Sequence, residues 1–243
     1  MHRSRRAIPI CALVVALLAA PAAQAGEKRV LLVNEARGFV HESIPAATAF
    51  FTDLGDRSPS YDVVPLSGGA AQLTARRLRR ADAVVFANTS GELPLSDRAA
   101  LLRFVRRGGA FIGTHSASDS LHSWPAFEGL LGGEFARHGA VQEGGLIVSR
   151  RPHAVTRRLP RSFMLTDEFY EFVAPVPART RVLIRLDPES VPDEAGAEIP
   201  LVWARRYGEG RVFYDALGHL PATWEHRLHR RIVARGLAWA LRR

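Results

Sequence analysis

Three of the nine histidines in this 243-residue chain come shortly after apolar segments that have the pattern of buried strands. They are His41, His115 and His219. An imidazole binds metal ions and transfers protons near neutral pH, so three such rings at strand ends indicate one polar centre for binding or catalysis. Each histidine taken alone is equally compatible with a structural role.

Carboxylates that could complete such a centre lie in the segment Asp167-Glu168-x-Tyr170, which follows an apolar run. Glu168 could act as a catalytic acid or base, and Tyr170 is a candidate substrate-binding residue. Adjacent side chains of an extended segment point to opposite faces, so we expect at most one of the two carboxylates to face a shared site. If that one is Glu168, Tyr170 lies on its side of the segment. A solvated acidic turn is the alternative interpretation.

The segment from Gly113 to Asp119 has the outline of an elbow between a strand and a helix, which directs a side chain into a cleft. The elbow position holds His115, whose imidazole could be a base or a metal ligand. Ser116 is a weaker candidate as a nucleophile, and Asp119 is a candidate substrate-binding residue. A tight turn without chemistry is the alternative.

A divalent metal would suit this set of side chains. Histidine and carboxylate groups are ligands of zinc and neighbouring transition metals. We therefore expect His41, His115 and His219 to bind such a metal, with His115, His219 and Glu168 as the catalytic residues. His138 and His153 are weaker candidates for the site. Helix packing or surface exposure is predicted for His226 and His229, which lie in the last predicted helix.

Tryptophan side chains could bind a sugar, because a flat apolar ring complements the face of a pyranose. Trp124 is the candidate substrate-binding tryptophan, and Trp203 and Trp224 are further candidates. Packing in the core is the alternative for all three rings.

The charge of the chain first suggests a polyanionic partner, since 33 basic residues face 24 acidic ones. The most concentrated basic run contains Arg76, Arg77, Arg79 and Arg80 on a short predicted helix, which is typical of a solvated surface. The chain shows none of the recognised nucleic-acid-binding modules. We therefore expect no nucleic-acid partner.

Residues 1–25 have the three-part pattern of a secretory signal peptide: a basic start, the apolar run Ala7–Ala20 and the small-residue site Ala23-Gln24-Ala25. A membrane anchor is the alternative, but the apolar run is shorter than the roughly 20 residues needed to span a bilayer. We expect a periplasmic or extracellular protein with no membrane span after cleavage. The predicted mature chain, residues 26–243, has 30 basic and 24 acidic residues. It has no cysteine, because Cys11 lies in the predicted signal peptide.

The order of predicted elements indicates one α/β domain over 26–243. Four short apolar segments alternate with amphipathic segments in the first half, and the second half is richer in predicted strands. This order favours a mostly parallel sheet with helices on both faces, in which ligands bind at the carboxyl ends of the strands. Ser96 is the predicted N-cap of the third helix, and a closing helix is predicted over Trp224–Leu241.

The chain from about residue 29 to 241 resembles the trehalose-utilisation (ThuA-like) family in the order and spacing of several segments. These segments are Gly108–His115, Leu131–Phe135 with His138, Asp167–Tyr170 and Gly208–His219. The resemblance implies a flavodoxin-like sheet of the class I glutamine amidotransferase type. It also implies a role in the metabolism of trehalose, related glycosides and their 3-keto derivatives.

Two features of the chain depart from that pattern. The family often has His-Pro where this chain has His138-Gly139 and His153-Ala154. The wider fold group uses a cysteine nucleophile at the elbow, where this chain has His115, so thiol-based glutamine hydrolysis is excluded. The leading hypothesis is an enzyme whose partner is a small carbohydrate. A non-catalytic carbohydrate-binding or accessory protein is the alternative.

Overall fold

The computed structural model describes residues 27–191 and 199–242. The predicted signal peptide lies outside the described residues. The strands are β1 (Lys28–Val33), β2 (Tyr61–Pro65), β3 (Ala83–Ala87), β4 (Ala110–Thr114), β5 (Phe135–His138), β6 (Gln142–Val148), β7 (Ser162–Asp167), β8 (Tyr170–Phe172), β9 (Arg181–Leu186), β10 (Pro200–Tyr207) and β11 (Gly210–Asp215). The α-helices are α1 (Ile44–Asp56), α2 (Ala75–Leu78), α3 (Arg98–Arg106), α4 (Pro125–Leu131) and α5 (Arg227–Ala240). Within these described ranges, no helix has the length and apolar character needed to cross a membrane.

One large sheet dominates the described part of the chain, with nine strands in the order β2-β1-β3-β4-β11-β10-β9-β6-β7. The pairings from β2 to β11 are parallel, and the pairings from β11 to β7 are antiparallel. The parallel strands β3 and β4 are completely buried, which explains their continuous apolar sequences. This confirms the predicted flavodoxin-like α/β fold with a β-richer second half.

The strand order places a topological switch point between β1 and β3. From β1 the chain moves outward to β2, and from β3 it moves in the other direction to β4. Because such crossovers are right-handed, the two directions put their helices on opposite faces of the sheet. Ligands in open sheets of this kind bind at the carboxyl ends of the strands beside the switch point. His41 follows β1, His115 follows β4 and His219 follows β11, so all three lie at this edge.

Aromatic side chains pack beneath the helices. Phe50 and Phe51 of α1 lie 5.5 and 6.1 Å from Trp224, measured between ring centroids. A separate cluster joins Phe86 of β3 and Phe111 of β4 to Phe127 of α4, with centroids 5.1 to 5.8 Å apart. The first contacts join α1 to the segment before α5, and the second cluster anchors α4 to β3 and to β4, whose end carries His115.

Some element boundaries differ from the sequence prediction. The prediction that Ser96 caps α3 is wrong, because the Asp97 carboxylate accepts the amide hydrogen of Ala100 instead. The closing helix begins at Arg227, and a 3-10 turn occupies Pro221–Trp224. Sequence periodicity also missed α4 and the small sheet formed by β5 and β8, which are too short to show a clear repeat.

Candidate functional site

Four side chains meet at the carboxyl edge of the sheet: His41, His115, Glu168 and His219. One ligand atom from each lies within 4.8 Å of the others. The two Nε2 atoms of His41 and His115 are 3.1 Å apart, and Glu168 Oε2 lies 3.7 Å from His115 Nε2. His115 has no exposed surface, and His41 and Glu168 are nearly as buried. The structure thus brings together the three predicted metal-binding histidines and the predicted catalytic carboxylate.

His115 occupies the elbow at the end of β4. Its φ of +43° is unusual for a residue with a side chain, and such strained positions cluster at functional sites. The Tyr214 hydroxyl donates to the His115 carbonyl over 2.6 Å. The His115 ring is oriented by its Nδ1–H, which donates to the carbonyl of Ala216 over 2.9 Å. This bond assigns the proton to Nδ1 and leaves the Nε2 lone pair directed at the centre.

His41 lies in the connection between β1 and α1. Its Nδ1 is 3.3 Å from the Ser116 hydroxyl, so the residue after the elbow supports this histidine. The Phe39 ring packs edge-on against the His41 ring, with centroids 4.7 Å apart. The pKa of His41 is lowered to about 4. Burial is the main cause, the neighbouring His219 adds to the lowering, and Glu168 opposes it by a smaller amount.

The loop after β11 holds His219 through its backbone. The amide hydrogens of Gly218 and His219 are both accepted by the Asp167 carboxylate, over 2.8 and 3.0 Å. The Gly218 carbonyl accepts from the side-chain nitrogens of Asn88 and Trp224, over 2.8 and 3.1 Å. Gly218 has a φ of +116°, a conformation that favours glycine. The backbone that leads into His219 is therefore restrained through both its amide hydrogens and its carbonyl.

Of the two adjacent carboxylates, only Glu168 belongs to the group of four side chains that meet at the centre, in line with the expectation that at most one of them faces the site. Asp167 is completely buried, and its carboxylate also accepts the amide hydrogen of Glu168 over 2.9 Å. Asp167 is the last residue of β7, whereas Glu168 belongs to the connection to β8, where strand alternation no longer applies. Burial raises the pKa of Asp167, and the three amide hydrogens oppose that rise. Asp167 supports the site from behind, and Glu168 faces into it.

Glu168 is held between two histidines. Its Oε1 lies 2.9 Å from His138 Nδ1, and its Oε2 lies 3.1 Å from His219 Nδ1. His138, which the sequence analysis treats as a weaker candidate, therefore contacts the centre directly through Glu168. The Glu168 carboxylate raises the pKa of His219, although burial of the ring works against it.

Tyr170 closes the centre from β8, and its role in substrate binding stays a prediction. Its hydroxyl donates to His115 Nε2 over 3.0 Å and lies 3.5 Å from His41 Nε2. Its ring packs over the His115 ring with centroids 4.3 Å apart. Burial raises the pKa of Tyr170, with a further rise from Glu168, so the hydroxyl stays protonated.

Three observations indicate that the centre could hold a divalent metal. Tetrahedral zinc with bonds of about 2.0–2.1 Å separates its ligand atoms by about 3.3 Å. The Nε2 atoms of His41 and His115 are 3.1 Å apart, and all four ligand atoms lie within 4.8 Å of one another. His219 Nδ1 is buried and makes no hydrogen bond of good geometry, although Glu168 Oε2 lies 3.1 Å away. The fixed tautomer of His115 presents a lone pair to the same space.

Asp119 lies outside this four-residue centre. It accepts from His122 Nε2 over 2.8 Å, while Glu134 accepts from His122 Nδ1 over 2.6 Å. Burial lowers the pKa of His122, but the two carboxylates outweigh this and raise it. Trp124 also lies apart, stacked on Phe127. Their predicted role in substrate binding remains a prediction.

The other aromatic and histidine candidates pack against the protein itself. Trp203 and Trp224 are buried in the core, so neither ring presents a face to a sugar and that prediction is wrong for both. His229 is completely buried against Trp224, as expected for a packing residue. His226 stacks on Phe163. His153 lies against Trp239, away from the centre.

Asn88 is a residue of the site that sequence reasoning missed. Its side-chain nitrogen donates to Ser43 and to the carbonyl of Gly218, and its oxygen accepts from Thr114. Asn88 thus ties the connections after β1, β4 and β11 together from the end of β3. The available signal was its position: a polar residue directly after a fully apolar strand at the switch point.

The buried histidines make the metal-free protein sensitive to acid. The pKa of His41 is lowered to about 4, and that of His115 is lowered well below its usual range, in both cases mainly by burial. An unfolded histidine has a pKa of about 6.5, so between pH 6.5 and 4 the unfolded chain binds protons that the folded chain excludes. The raised pKa of His219 has the opposite sign and offsets part of this.

We expect the free energy of unfolding, measured with urea in a chelator, to fall as the pH decreases from 7.5 to 5. Each neutral buried histidine contributes a slope of up to about 1.4 kcal/mol per pH unit. The His41→Gln variant should show a smaller slope than the wild-type protein. An identical slope in both proteins would contradict the assignment of a neutral buried His41.

A family comparison supports the resemblance seen in the sequence. The family described as ThuA, trehalose utilisation, matches residues 29–240. A search of curated proteins found no significant sequence match to this chain.

Solved structures match the fold over nearly the whole chain. A ThuA-like protein from Bacteroides uniformis has a TM-score of 0.77 at 22% identity, covering 91% of this chain and 94% of its own. A ThuA-like protein from Parabacteroides merdae has a TM-score of 0.73 at 20% identity, covering 88% and 90%. A β-galactosidase from Bacillus circulans sp. alkalophilus has a TM-score of 0.54 at 13% identity, and the match covers 89% of this chain but 31% of that enzyme. At these identities the likeness concerns the fold.

Proposed function

The chain belongs to the ThuA, trehalose-utilisation family, and from this premise we propose that it is an exported, metal-dependent enzyme that acts on a glycoside or a 3-keto sugar. The observation that carries the proposal is the convergence of His41, His115, Glu168 and His219 within 4.8 Å. Three imidazoles and a carboxylate in a buried setting are typical of catalytic zinc sites and of sites for related metals.

In this proposal His41 and His115 bind the cation through Nε2, and His219 binds it through Nδ1. A bound divalent cation would supply the positive charge that polarises a substrate oxygen. The Ala216 carbonyl and the Asp167 carboxylate keep His115 and His219 in place before substrate arrives. Such fixed surroundings maintain the geometry that the reaction requires.

Glu168 is the residue that moves a proton. Its Oε1 lies beside His138, which is 42% exposed, so this side of the carboxylate is the one nearer to solvent. In a 3-keto sugar the hydrogen on the carbon beside the carbonyl is acidified, and Glu168 would accept it. With an intact glycoside, Glu168 would exchange a proton with water or with the leaving oxygen.

Tyr170 and Phe39 are suited to orient the sugar. The raised pKa of Tyr170 keeps its hydroxyl protonated, so it can donate to a sugar oxygen once His115 Nε2 binds the cation instead of accepting from it. The Phe39 ring is 63% exposed and packs beside His41, so it offers a flat apolar face next to the reacting position. This exposed ring replaces the buried tryptophans as the aromatic surface for a sugar.

The Glu168→Gln variant tests the proton-transfer role. We expect it to lose at least 100-fold in kcat on the 3-keto glycoside or glycoside that the wild-type protein turns over, because general base catalysis contributes about 10²–10⁴-fold. Its affinity for the divalent cation should change by less, since three imidazoles remain. Turnover of trehalose, related glycosides and their 3-keto derivatives is measured with purified protein and defined metal content.

The Glu143→Gln variant is the matched control, since it removes an exposed carboxylate from β6 and should retain wild-type turnover. Full activity of Glu168→Gln would contradict the role of Glu168. Sugar binding by wild-type protein without any product over long incubation would instead favour the non-catalytic carbohydrate-binding alternative.

Export is proposed from the sequence of residues 1–25. Expression of the full chain in a bacterium with an outer membrane should give a periplasmic protein that begins at Gly26, as read by mass spectrometry of its N-terminus. A chain lacking residues 2–25 should stay in the cytoplasm. An uncleaved protein extracted only with membranes would support the anchor alternative.

A further inference from the structure

A second polar cleft lies far from the histidine centre, in the connection between β6 and β7. Residues 148–161 line a concave space of about 560 Å³. Its lining includes the four arginines Arg150, Arg151, Arg157 and Arg161, and no acidic residue. We refer to this space as the arginine cleft.

Neighbouring elements hold the walls of the arginine cleft in place. The Arg181 side chain of β9 donates to the Pro152 carbonyl over 2.7 Å. The Arg235 side chain of α5 donates to the carbonyls of Val155 and Arg157. These bonds use cationic side chains from two other elements to fix the backbone of the connection, so the cleft is a built feature of the fold.

In the part of the chain that the structure describes, the segments that meet at the arginine cleft carry positive charge without acidic side chains of their own. These segments, 149–166, 174–186 and 226–242, contain no aspartate or glutamate. Within the described residues, the four cleft arginines take part in no salt bridge. Burial lowers the pKa of Arg235, and crowding by Arg231, Arg157 and Arg158 lowers it further. The molecule therefore keeps cations close together that repel one another.

We propose that the arginine cleft binds a ligand that carries a phosphate or sulfate group. The planar guanidinium fork matches the oxygens of such anions and can donate two parallel hydrogen bonds to them. Ser149 and Thr156 add hydroxyl groups to the lining, and a bound anion relieves the mutual repulsion of the cations. The group could be part of a soluble phosphorylated or sulfated molecule, or the headgroup of an anionic lipid.

The arginine cleft and the histidine centre are separate sites. β7 begins at Ser162 beside the cleft and ends at Asp167 behind the centre, and five strand steps span about 17 Å. An anion in the cleft is thus too distant to contact the metal-binding side chains. The proposal does not depend on the reaction proposed for the centre.

Isothermal titration with inorganic pyrophosphate and with sulfate tests the proposal. We expect saturable binding to the wild-type protein and at least a tenfold loss of affinity in the double variant Arg157→Gln/Arg161→Gln. The charge-matched control Arg76→Gln/Arg79→Gln removes two exposed arginines from α2 and its C-terminal end and should bind as the wild type does. Zinc titration of all three proteins verifies that the fold and the centre are intact.

Vesicle sedimentation separates the two sources of the anion. Saturable pyrophosphate binding without sedimentation on phosphatidylglycerol vesicles assigns the cleft to a soluble ligand. Sedimentation on those vesicles, but not on phosphatidylcholine vesicles, assigns it to a lipid headgroup if the cleft variant loses it. Equal binding by the cleft variant and the control variant, or no binding of any of these anions, would overturn the proposal.

Discussion

Replacement of His115 by alanine is expected to lower the affinity for a divalent cation more than 100-fold and to reduce turnover below detection. Loss of a residue that only supports a metal ligand already costs about 10- to 100-fold in affinity, and His115 is itself a predicted ligand. Its Nε2 lies 3.1 Å from the Nε2 of His41, so no neighbouring ring can move into its place without leaving its own. Metal content and affinity are measured by competition with a chromophoric chelator.

Two further variants distinguish the loss of a metal ligand from the loss of the folded structure. His115→Gln keeps more of the side-chain volume and should show the same loss of metal. His226→Ala removes a half-buried imidazole that stacks on Phe163 outside the centre, and it should retain metal and turnover. Wild-type metal affinity in a folded His115→Ala protein would exclude His115 from the metal site, whatever the substrate is.

Replacement of Asp167 by alanine is expected to destabilise the fold by about 3 kcal/mol and to weaken metal binding about 10- to 100-fold. Three backbone amide hydrogens lose their acceptor, and each buried group without a partner costs about 1–3 kcal/mol when relaxation is small. The same change frees the backbone that holds His219, which is the cause of the weaker metal binding. Urea unfolding in a chelator gives the stability, and a metal titration gives the affinity.

A surface carboxylate provides the matched control for the Asp167→Ala variant. Asp62→Asn removes a carboxylate that pairs with Arg29 at 3.0 Å with both side chains substantially exposed. Exposed pairs of this kind contribute about 0–1 kcal/mol, so this variant should stay close to the wild type. An Asp167→Ala protein that unfolds like the Asp62→Asn protein would show that Asp167 does not brace the loop.

Much of the fold was predictable because the parallel strands are buried on both faces. Segments such as Ala83–Ala87 must be apolar throughout to fill that environment, and the sequence displays this directly. Their order then places whatever follows each strand at one edge of the sheet, which is why His41, His115 and His219 could be grouped beforehand. Short elements such as α4 carry too few residues to reveal a period.

The amino-acid sequence by itself determined the class of the fold, the family and the identity of the three histidines at the strand ends. The net positive charge of the chain was a weaker guide to a binding partner than its value of +9 suggests, because three of the arginines lie in the predicted signal peptide. Local pattern separated the roles of Asp167 and Glu168, but it did not reveal that the Asp167 carboxylate accepts the backbone amides of the loop that carries His219.

Only the tertiary structure decided which groups meet and which atoms they present. The distances from Glu168 to His138 and His219, the bracing of Gly218 by Asp167 and Asn88, and the position of the Tyr170 hydroxyl join residues that lie 30 to 130 positions apart. Such contacts depend on how loops from several strands converge, and loop paths follow from packing and hydrogen bonding across the whole molecule. Residue types and spacing carry little information about them, so the sequence identified the histidines and the fold assembled the centre.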